Sequence, residues 1–182
     1  VTFNNCKFID NTKNATTNAI NIQSNSTTAA VFTTVNFSGC EMVCNQKDNS
    51  GGSVYINGRT ISTATPTTVN FIGGVFANNV VTSSAGRGGA LHIGNNSKVT
   101  IDGTYFFNNT VQTSGVSSPN DGGGAIYIFS NTTSLTAAAR TDVTITNALF
   151  YENKATSVGN GGAIALIGAS GHTNINRPRL TI

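Results

Sequence analysis

The stretch VNFIGGVFANN (residues 69–79) returns along the chain in five copies that align without gaps. Counted from the first residue as zero, each copy has Val at position 0, Phe or Ile at 2, a small residue at 5, Phe or Met at 7 and Asn at 10. The other copies are VTFNNCKFIDN (1–11), VNFSGCEMVCN (35–45), VTIDGTYFFNN (99–109) and VTITNALFYEN (143–153), and LTI (180–182) begins a sixth. The chain is therefore built from internal repeats.

A second block follows each copy after a gap of variable length. It reads GGSVYI (51–56), GGALHI (88–93), GGAIYI (123–128) and GGAIAL (161–166), with the degenerate form NAINI (18–22) in the first unit. The variation in length falls in Ser/Thr/Asn-rich stretches, which we predict to be loops on a constant scaffold (12–17, 23–34, 57–67, 110–121 and 129–141). The units predict coils that start at residues 1, 35, 69, 99, 143 and 180.

Alternation inside the two blocks predicts β-strands. Val69 and Phe71 point to one side and Asn70 to the other, and Leu91 and Ile93 of the glycine block repeat the pattern. Three short strands per unit without a helical stretch predict an all-β fold, a right-handed parallel β-helix (solenoid) of about five coils with three strands each. A β-propeller also repeats at about 40 residues, but its blades are steadier in length.

The composition agrees with a β-fold. Among 182 residues there are 25 Asn, 27 Thr, 16 Ser and 20 Gly, whereas charged residues make up only 9%. Such a chain favours strands and turns and excludes a helical bundle or a coiled coil. We interpret residues 1–182 as a single β-helix segment, a slice of a longer repeat protein. The net charge of +3 without a basic cluster disfavours nucleic acid as a partner, and no apolar run is long enough to span a membrane.

The two blocks also identify a family resemblance. F-x-x-N occurs at 8–11, 76–79, 106–109 and 150–153, and G-G-A-[ILV] at 88–91, 123–126 and 161–164. This alternation resembles the repeat of the chlamydial polymorphic outer membrane proteins, autotransported surface adhesins whose passenger region is a β-helix. Unit two departs from the pattern at Met42 and Ser53, and unit one lacks the glycine pair. The resemblance implies an extracellular or cell-surface location and a role in adhesion.

Stacked coils bring equal repeat positions about 4.8 Å apart, which leads to two structural predictions. Cys6 and Cys40 share position 5 and are predicted to form a disulfide, the alternative being two stacked buried thiols. Cys44 is left over, either free or paired outside this segment. The asparagines at position 10 are predicted to form a hydrogen-bonded ladder at a turn: Asn11, Asn45, Asn79, Asn109 and Asn153.

Two sets of outward residues are candidate binding or modification sites. Tyr55, His92 and Tyr127 form a column that could bind a sugar or a protein by stacking, unless a long loop such as 129–141 covers the rings. Six N-x-[ST] sequons, about as many as chance predicts from this composition, lie in predicted loops or at outward positions. They are Asn14, Asn25, Asn36, Asn95, Asn108 and Asn131.

The ionisable residues do not predict catalysis. Hydrolysis or elimination on a polysaccharide needs several acids that converge on one face of neighbouring coils. Asp102 and Asp142 are near enough to meet, but no third acid joins them, and two histidines cannot build a multi-histidine metal site. The sequence therefore predicts no catalytic residue, no metal site and no cofactor, and we expect a protein that is not an enzyme.

These observations favour three functions, in order of preference. The first is a non-catalytic extracellular or cell-surface segment that acts in adhesion by binding protein or glycan ligands. The second is the shaft or scaffold of an extracellular filament, appendage or cell wall, which would require self-association. The third and least favoured is a carbohydrate-active β-helix enzyme.

Overall fold

The computed structural model describes residues 1–13, 18–24, 34–48, 51–58, 65–113, 121–130, 140–156, 160–168 and 177–182. In these ranges the chain forms 21 short strands and no helix. Consequently, this part of the chain has no helix of the length and apolarity that a membrane span requires. The sequons at Asn14, Asn25 and Asn131, and most of the predicted variable loops, lie outside the described residues.

The strands follow one another in groups of four, and each group is one rung of a solenoid. The first two rungs contain β1 (Thr2–Asn4), β2 (Lys7–Ile9), β3 (Thr12–Lys13), β4 (Ile20–Gln23), β5 (Thr34–Ser38), β6 (Glu41–Val43), β7 (Gln46–Lys47) and β8 (Val54–Asn57). The next two contain β9 (Thr67–Ile72), β10 (Val75–Ala77), β11 (Val80–Thr82), β12 (Leu91–Ile93), β13 (Ser97–Asp102), β14 (Tyr105–Phe107), β15 (Thr110–Gln112) and β16 (Ile126–Ser130). The last strands are β17 (Asp142–Thr146), β18 (Leu149–Tyr151), β19 (Lys154–Thr156), β20 (Ile164–Gly168) and β21 (Arg179–Thr181).

Equivalent strands of successive rungs pair in parallel and form four sheets. Sheet A has the order β1-β5-β9-β13-β17-β21, sheet B β2-β6-β10-β14-β18, sheet C β3-β7-β11-β15-β19 and sheet D β4-β8-β12-β16-β20. The register matches the repeat alignment, since Val69 lies beside Val99 and Phe76 beside Phe106. The protein is an all-β parallel solenoid of about four turns, counted from the first to the last strand of a five-stranded sheet, whereas about five coils were predicted.

The prediction of three strands per coil is wrong, because each rung has a fourth strand in sheet C. These strands are two or three residues long and follow directly after the asparagine of F-x-x-N. Their second residue differs in chemistry from rung to rung, as Lys47, Val81 and Val111 show, and all three are buried. So short an element, with one buried position of mixed polarity, has no periodicity that a sequence can reveal.

Two stacks of phenylalanine rings occupy the core. In sheet A, Phe37 stacks on Phe71 with ring centroids 5.0 Å apart, and in sheet B Phe76 stacks on Phe106 at the same spacing. Phe71 meets Phe76 edge to face at 5.3 Å, which joins the two stacks. Aliphatic columns from sheets A and D complete the core cluster. The spacing is close to the separation of adjacent strands, so rings stack wherever neighbouring rungs both have Phe, whereas Ile101, Ile145 and Met42 occupy the same columns in the other rungs.

A ladder of asparagine amides follows the corner between sheets B and C. The Asn79 side chain accepts hydrogen bonds from the Asn45 backbone N–H (3.1 Å) and side-chain Nδ2 (3.0 Å). Its own Nδ2 donates to the Met42 carbonyl and to Asn109 Oδ1, both at 2.8 Å. Equivalent bonds link Asn11 to Asn45 and Asn109 to Asn153. Each amide thus satisfies backbone groups that the corner leaves without a strand partner.

Glycines permit the sharp corner before sheet D. Gly88 has φ of +61°, a conformation that side chains rarely adopt. At Gly89 the space is the constraint, because an added Cβ would collide with the backbone carbonyl of Gly124 on the next rung. The glycine pair therefore serves two needs, one of conformation and one of close approach between rungs.

The predicted Cys6–Cys40 disulfide is wrong for this structure, in which Cys6, Cys40 and Cys44 are free. The Cys6 thiol lies 3.5 Å from the Asn4 carbonyl oxygen, and the Cys40 thiol 3.4 Å from that of Phe3. In-register rungs repeat a side chain by translation, so the two Cα–Cβ bonds are parallel and about 4.8 Å apart. A disulfide needs the Cβ atoms to converge to roughly 3.8 Å.

We expect Asn79→Ala to lower the free energy of unfolding by about 3 kcal/mol, because it leaves buried amide and carbonyl groups of neighbouring rungs without a partner. Asn70→Thr is the matched control, since Thr occupies the equivalent outward position in β13 and β17, and it should cost less than about 1 kcal/mol. Urea unfolding of both variants provides the measurement. Equal losses would show that the amide ladder has no special role.

Protein purified without reductant should show three reactive thiols after unfolding in denaturant, because all three cysteines are free. A thiol-reactive chromophore gives the count directly. Addition of a reductant should leave the midpoint of thermal unfolding unchanged. A count of one thiol, together with a midpoint of thermal unfolding that falls on reduction, would show that the disulfide does form.

Candidate functional site

The predicted contact column is present but lies inside the protein. Tyr55, His92 and Tyr127 occupy neighbouring strands of sheet D, and His92 meets the two tyrosine rings edge to face at 4.9 and 5.0 Å. His92 and Tyr127 are buried and Tyr55 is half-buried. Of the two alternatives that the sequence left open, the structure shows covered rings rather than an exposed ligand surface for His92 and Tyr127. Arg87 covers part of the column, with its guanidinium carbon 5.5 Å from the Tyr127 ring centroid.

Charged groups surround this buried column. Arg87 forms an ion pair with the buried Asp121 at 3.6 Å. Lys47 Nζ donates a hydrogen bond of 2.9 Å to Asn18 Oδ1, and burial lowers the pKa of Lys47. Burial, with smaller effects of the Arg87 and Lys47 charges, lowers the pKa of His92 to about 3. The imidazole is therefore neutral at every pH near neutrality.

The column is suited to packing rather than to proton transfer. A base with a pKa near 3 is too weak to accept a proton from a substrate at neutral pH. Burial also raises the pKa of Tyr127 to about 12, which keeps its phenol protonated. Within the described residues, His92 Nδ1 and the Tyr127 hydroxyl have no hydrogen-bond partner. These buried polar atoms lower the stability of the fold.

The acids considered for catalysis are held apart by the register. Asp142 lies opposite Lys98 at the beginning of β13, whereas Asp102 ends that strand, roughly 13 Å further along. Asp142 pairs with Arg140 and Arg179, and Asp102 accepts hydrogen bonds from Thr146 and Asn147. In the part of the chain that the structure describes, no three His, Cys, Asp or Glu side chains are placed to hold a metal ion.

Three of the sequon asparagines lie within the described residues, and their amides are already bonded. Asn36 Nδ2 donates to Thr2 Oγ1 at 3.3 Å, Asn95 Nδ2 to Asn57 Oδ1 at 3.3 Å, and Asn108 Nδ2 to Asn78 Oδ1 at 2.8 Å. All three side chains are partly exposed. Attachment of a glycan would replace the bond that each Nδ2 now donates, and glycosylation of these residues stays a prediction.

The outer face of sheet B has an exposed apolar surface that was not predicted from the sequence. Tyr105 and Phe107 of β14 and Leu149 and Tyr151 of β18 point away from the core and are 55%, 38%, 55% and 54% exposed. Phe107 stacks on Tyr151, with ring centroids 5.5 Å apart and planes within 8°. We call these four residues the aromatic strip.

Polar groups flank the aromatic strip on both sides. Along the chain, Asn108 follows Phe107 and Glu152 follows Tyr151. The Glu152 carboxylate accepts a hydrogen bond from the Tyr151 hydroxyl, which raises the pKa of Tyr151. On the other side, where the chain enters sheet B, Asn147 and Thr146 donate hydrogen bonds to the Asp102 carboxyl and lower its pKa. The strip is thus an apolar surface between two rows of amides and carboxylates.

A signal for the strip is present in the sequence. In the first two copies position 6 is charged, and in VFA (75–77) the residues beside position 7 are small or medium-sized, but YFF (105–107) and LFY (149–151) have large apolar or aromatic residues on both sides of it. Since Phe106 and Phe150 point inward, the residues on each side of them must face outward. Two neighbouring repeats with large apolar side chains on both sides of position 7 therefore indicate an apolar patch on the outer surface.

Comparison of the chain with protein-family models, curated proteins and solved structures finds no match. The solenoid, the buried column and the aromatic strip are thus the observations from which a function can be proposed. Of the two surfaces, only the strip is accessible to a partner in the described residues.

We expect stability to fall as the pH decreases below the unfolded-state pKa of His92, 6.5, towards its folded-state pKa of about 3. In this range the histidine binds a proton only in the unfolded chain. Between pH 8 and pH 5 the free energy of unfolding should therefore fall by about 2 kcal/mol because of this group. Urea unfolding at several pH values measures it. His92→Phe keeps a ring in the column and should remove that part of the pH dependence, and identical pH profiles would refute the buried neutral imidazole.

Proposed function

We propose that this chain is a non-catalytic, extracellular or cell-surface solenoid that acts in adhesion, with the aromatic strip as its contact surface. The supporting observation is the position of the strip on a rigid sheet rather than on a loop. Its strands pair with neighbours in register, and the Phe106–Phe150 stack, with centroids 4.8 Å apart, supports it from inside. A surface of this kind keeps its shape when a partner binds.

The sequence resemblance supports the same function. F-x-x-N and G-G-A-[ILV] repeats resemble those of the chlamydial surface adhesins, and in this chain the two motifs occupy the B–C corner and the start of sheet D. We propose the right-handed sense of coiling that is usual for parallel strands joined by crossovers. The contact surface would then lie on the side of a regular shaft of stacked rungs.

A filament shaft is the second candidate function, and the regular stacking of the rungs favours it. In the described residues five rungs pair in parallel through four sheets, and the Phe76–Phe106 and Phe106–Phe150 rings stack at 5.0 and 4.8 Å. A solenoid of this regularity suits the shaft of a filament, since each rung contacts mainly its neighbours along one axis.

A flow assay tests the adhesive function. Beads coated with the chain should be retained on at least one of three surfaces, namely epithelial cells, yeast cell walls and plant cell walls. The variant Tyr105→Ser/Tyr151→Ser should reduce retention at least tenfold, because it removes both exposed tyrosine rings of the strip while leaving the buried stacks intact.

Ile9→Thr is the matched control, since Ile9 is 45% exposed on the outer face of sheet B and lies in the first rung, away from the strip. It should retain beads as the unchanged chain does, and circular dichroism should show that all variants are folded. Equal loss in the control, or no retention on any surface, would refute the strip as an adhesive surface. Concentration-dependent fibres in electron micrographs would favour the filament instead.

A further inference from the structure

The size of the aromatic strip limits what can bind to it. Four side chains that are each about half exposed, of types that cover about 150–250 Å² when complete, present on the order of 400 Å². A stable protein–protein interface needs about 800 Å² from each partner. The strip supplies roughly half of that area. A partner with a narrow contact surface fits better than a globular protein or a second copy of this chain.

The strip also has a step along the axis of the solenoid. Phe107 stacks on Tyr151 on one side, but its neighbour on the other side is Ala77 of β10. A methyl group is much smaller than a ring, so the side chain of Phe107 extends further from the sheet than that of Ala77. With three rungs and strands of three residues, the outer face from β10 to β18 measures about 10 Å in each direction, which is room for about two pyranose rings.

The groups around the strip can recognise hydroxyls. Asn78 and Asn108 form an amide pair on one side, with a hydrogen bond of 2.8 Å, and Glu152 continues this row. On the other side Asp102 is held by Thr146 at 2.9 Å and by Asn147 at 2.8 Å. Amides and carboxylates donate or accept hydrogen bonds at fixed positions, and binding sites use such groups to orient a ligand above an apolar surface.

The charges beside the strip disfavour an acidic ligand. The partly exposed Asp102 and the exposed Glu152 are carboxylates on opposite sides of the strip, and Lys154 on sheet C is the cation nearest in sequence to Glu152. Lys7, on the outer face of the first rung of sheet B, is engaged with Glu41 at 3.0 Å. The two carboxylates would repel a ligand that carries many negative charges, and Lys154 alone would offset only part of this repulsion. An uncharged ligand is not repelled.

We propose that the aromatic strip binds an uncharged polysaccharide, with the apolar faces of its sugar rings against Tyr105, Phe107 and Tyr151 and its hydroxyls bonded to the flanking amides and carboxylates. The inference rests on the proposed adhesive function and names the ligand class. Sugar rings have an apolar C–H face that packs on aromatic rings, and an extended chain of them is narrow enough for the strip.

Titration calorimetry with four hexasaccharides, derived from cellulose, chitin, xylan and mannan, tests the proposal. The protein should come from a bacterial host, so that Asn108 has no glycan beside the strip. At least one hexasaccharide should bind with a Kd of roughly 0.1–1 mM, as expected for a small exposed surface. Tyr151→Ser should weaken this binding at least tenfold, and Ile9→Thr should leave it unchanged.

A second measurement locates the site without substitutions. Amide NMR shifts that change on titration should be confined to β10, β14, β18 and the two flanking corners. Shifts elsewhere, binding to polygalacturonate alone, or no binding to any of the four hexasaccharides would overturn the proposal. Sedimentation that shows a dimer abolished by Tyr105→Ser/Tyr151→Ser would identify a second copy as the occupant instead.

The adhesive function and the ligand class can fail separately. If the strip variants lose bead retention but no polysaccharide binds or competes, the ligand is not a glycan and the adhesive function stands. If polysaccharide binds at the strip but beads are not retained on any surface, the site is correct and the adhesive function is wrong.

Discussion

Backbone hydrogen bonds between rungs require each residue to lie beside its counterpart one turn earlier. This constraint repeats every side chain by translation along the axis, so a property present at one repeat position becomes a column. Rings become stacks with centroids about 5 Å apart, and asparagines become a continuous amide ladder. The ladder lies at the B–C corner, where its amides bond backbone groups that have no strand partner.

The same constraint explains which predicted contacts form and which do not. Translation favours interactions between groups whose side chains lie parallel, such as stacked rings and amide pairs. It disfavours a disulfide, which needs two Cα–Cβ bonds to converge, and Cys6 and Cys40 accordingly remain free thiols. It also separates Asp102 from Asp142, because the residues at opposite ends of paired strands stay a strand length apart.

The surfaces of the solenoid differ because of what covers them. Tyr55, His92 and Tyr127 point away from the main core, yet Arg87 and the groups around it bury His92 and Tyr127. The outer face of sheet B has no such cover in the described residues, and its last two rungs expose four large apolar side chains. An outward position in a repeat therefore does not by itself mean an accessible position, and this difference decides which column can meet a partner.

The repeat alone determined the all-β class, the parallel in-register stacking, the inward phenylalanines and the position of the asparagine ladder, because all of these follow from periodicity. Only the tertiary structure decided the fourth strand of each rung, whose two or three residues such as Gln46 and Lys47 are too few to show a period. It also decided the free thiols, the burial of His92 and the exposure of Tyr105. These depend on the direction of Cα–Cβ bonds and on the segments that fold over each face, which are contacts between residues distant in the chain.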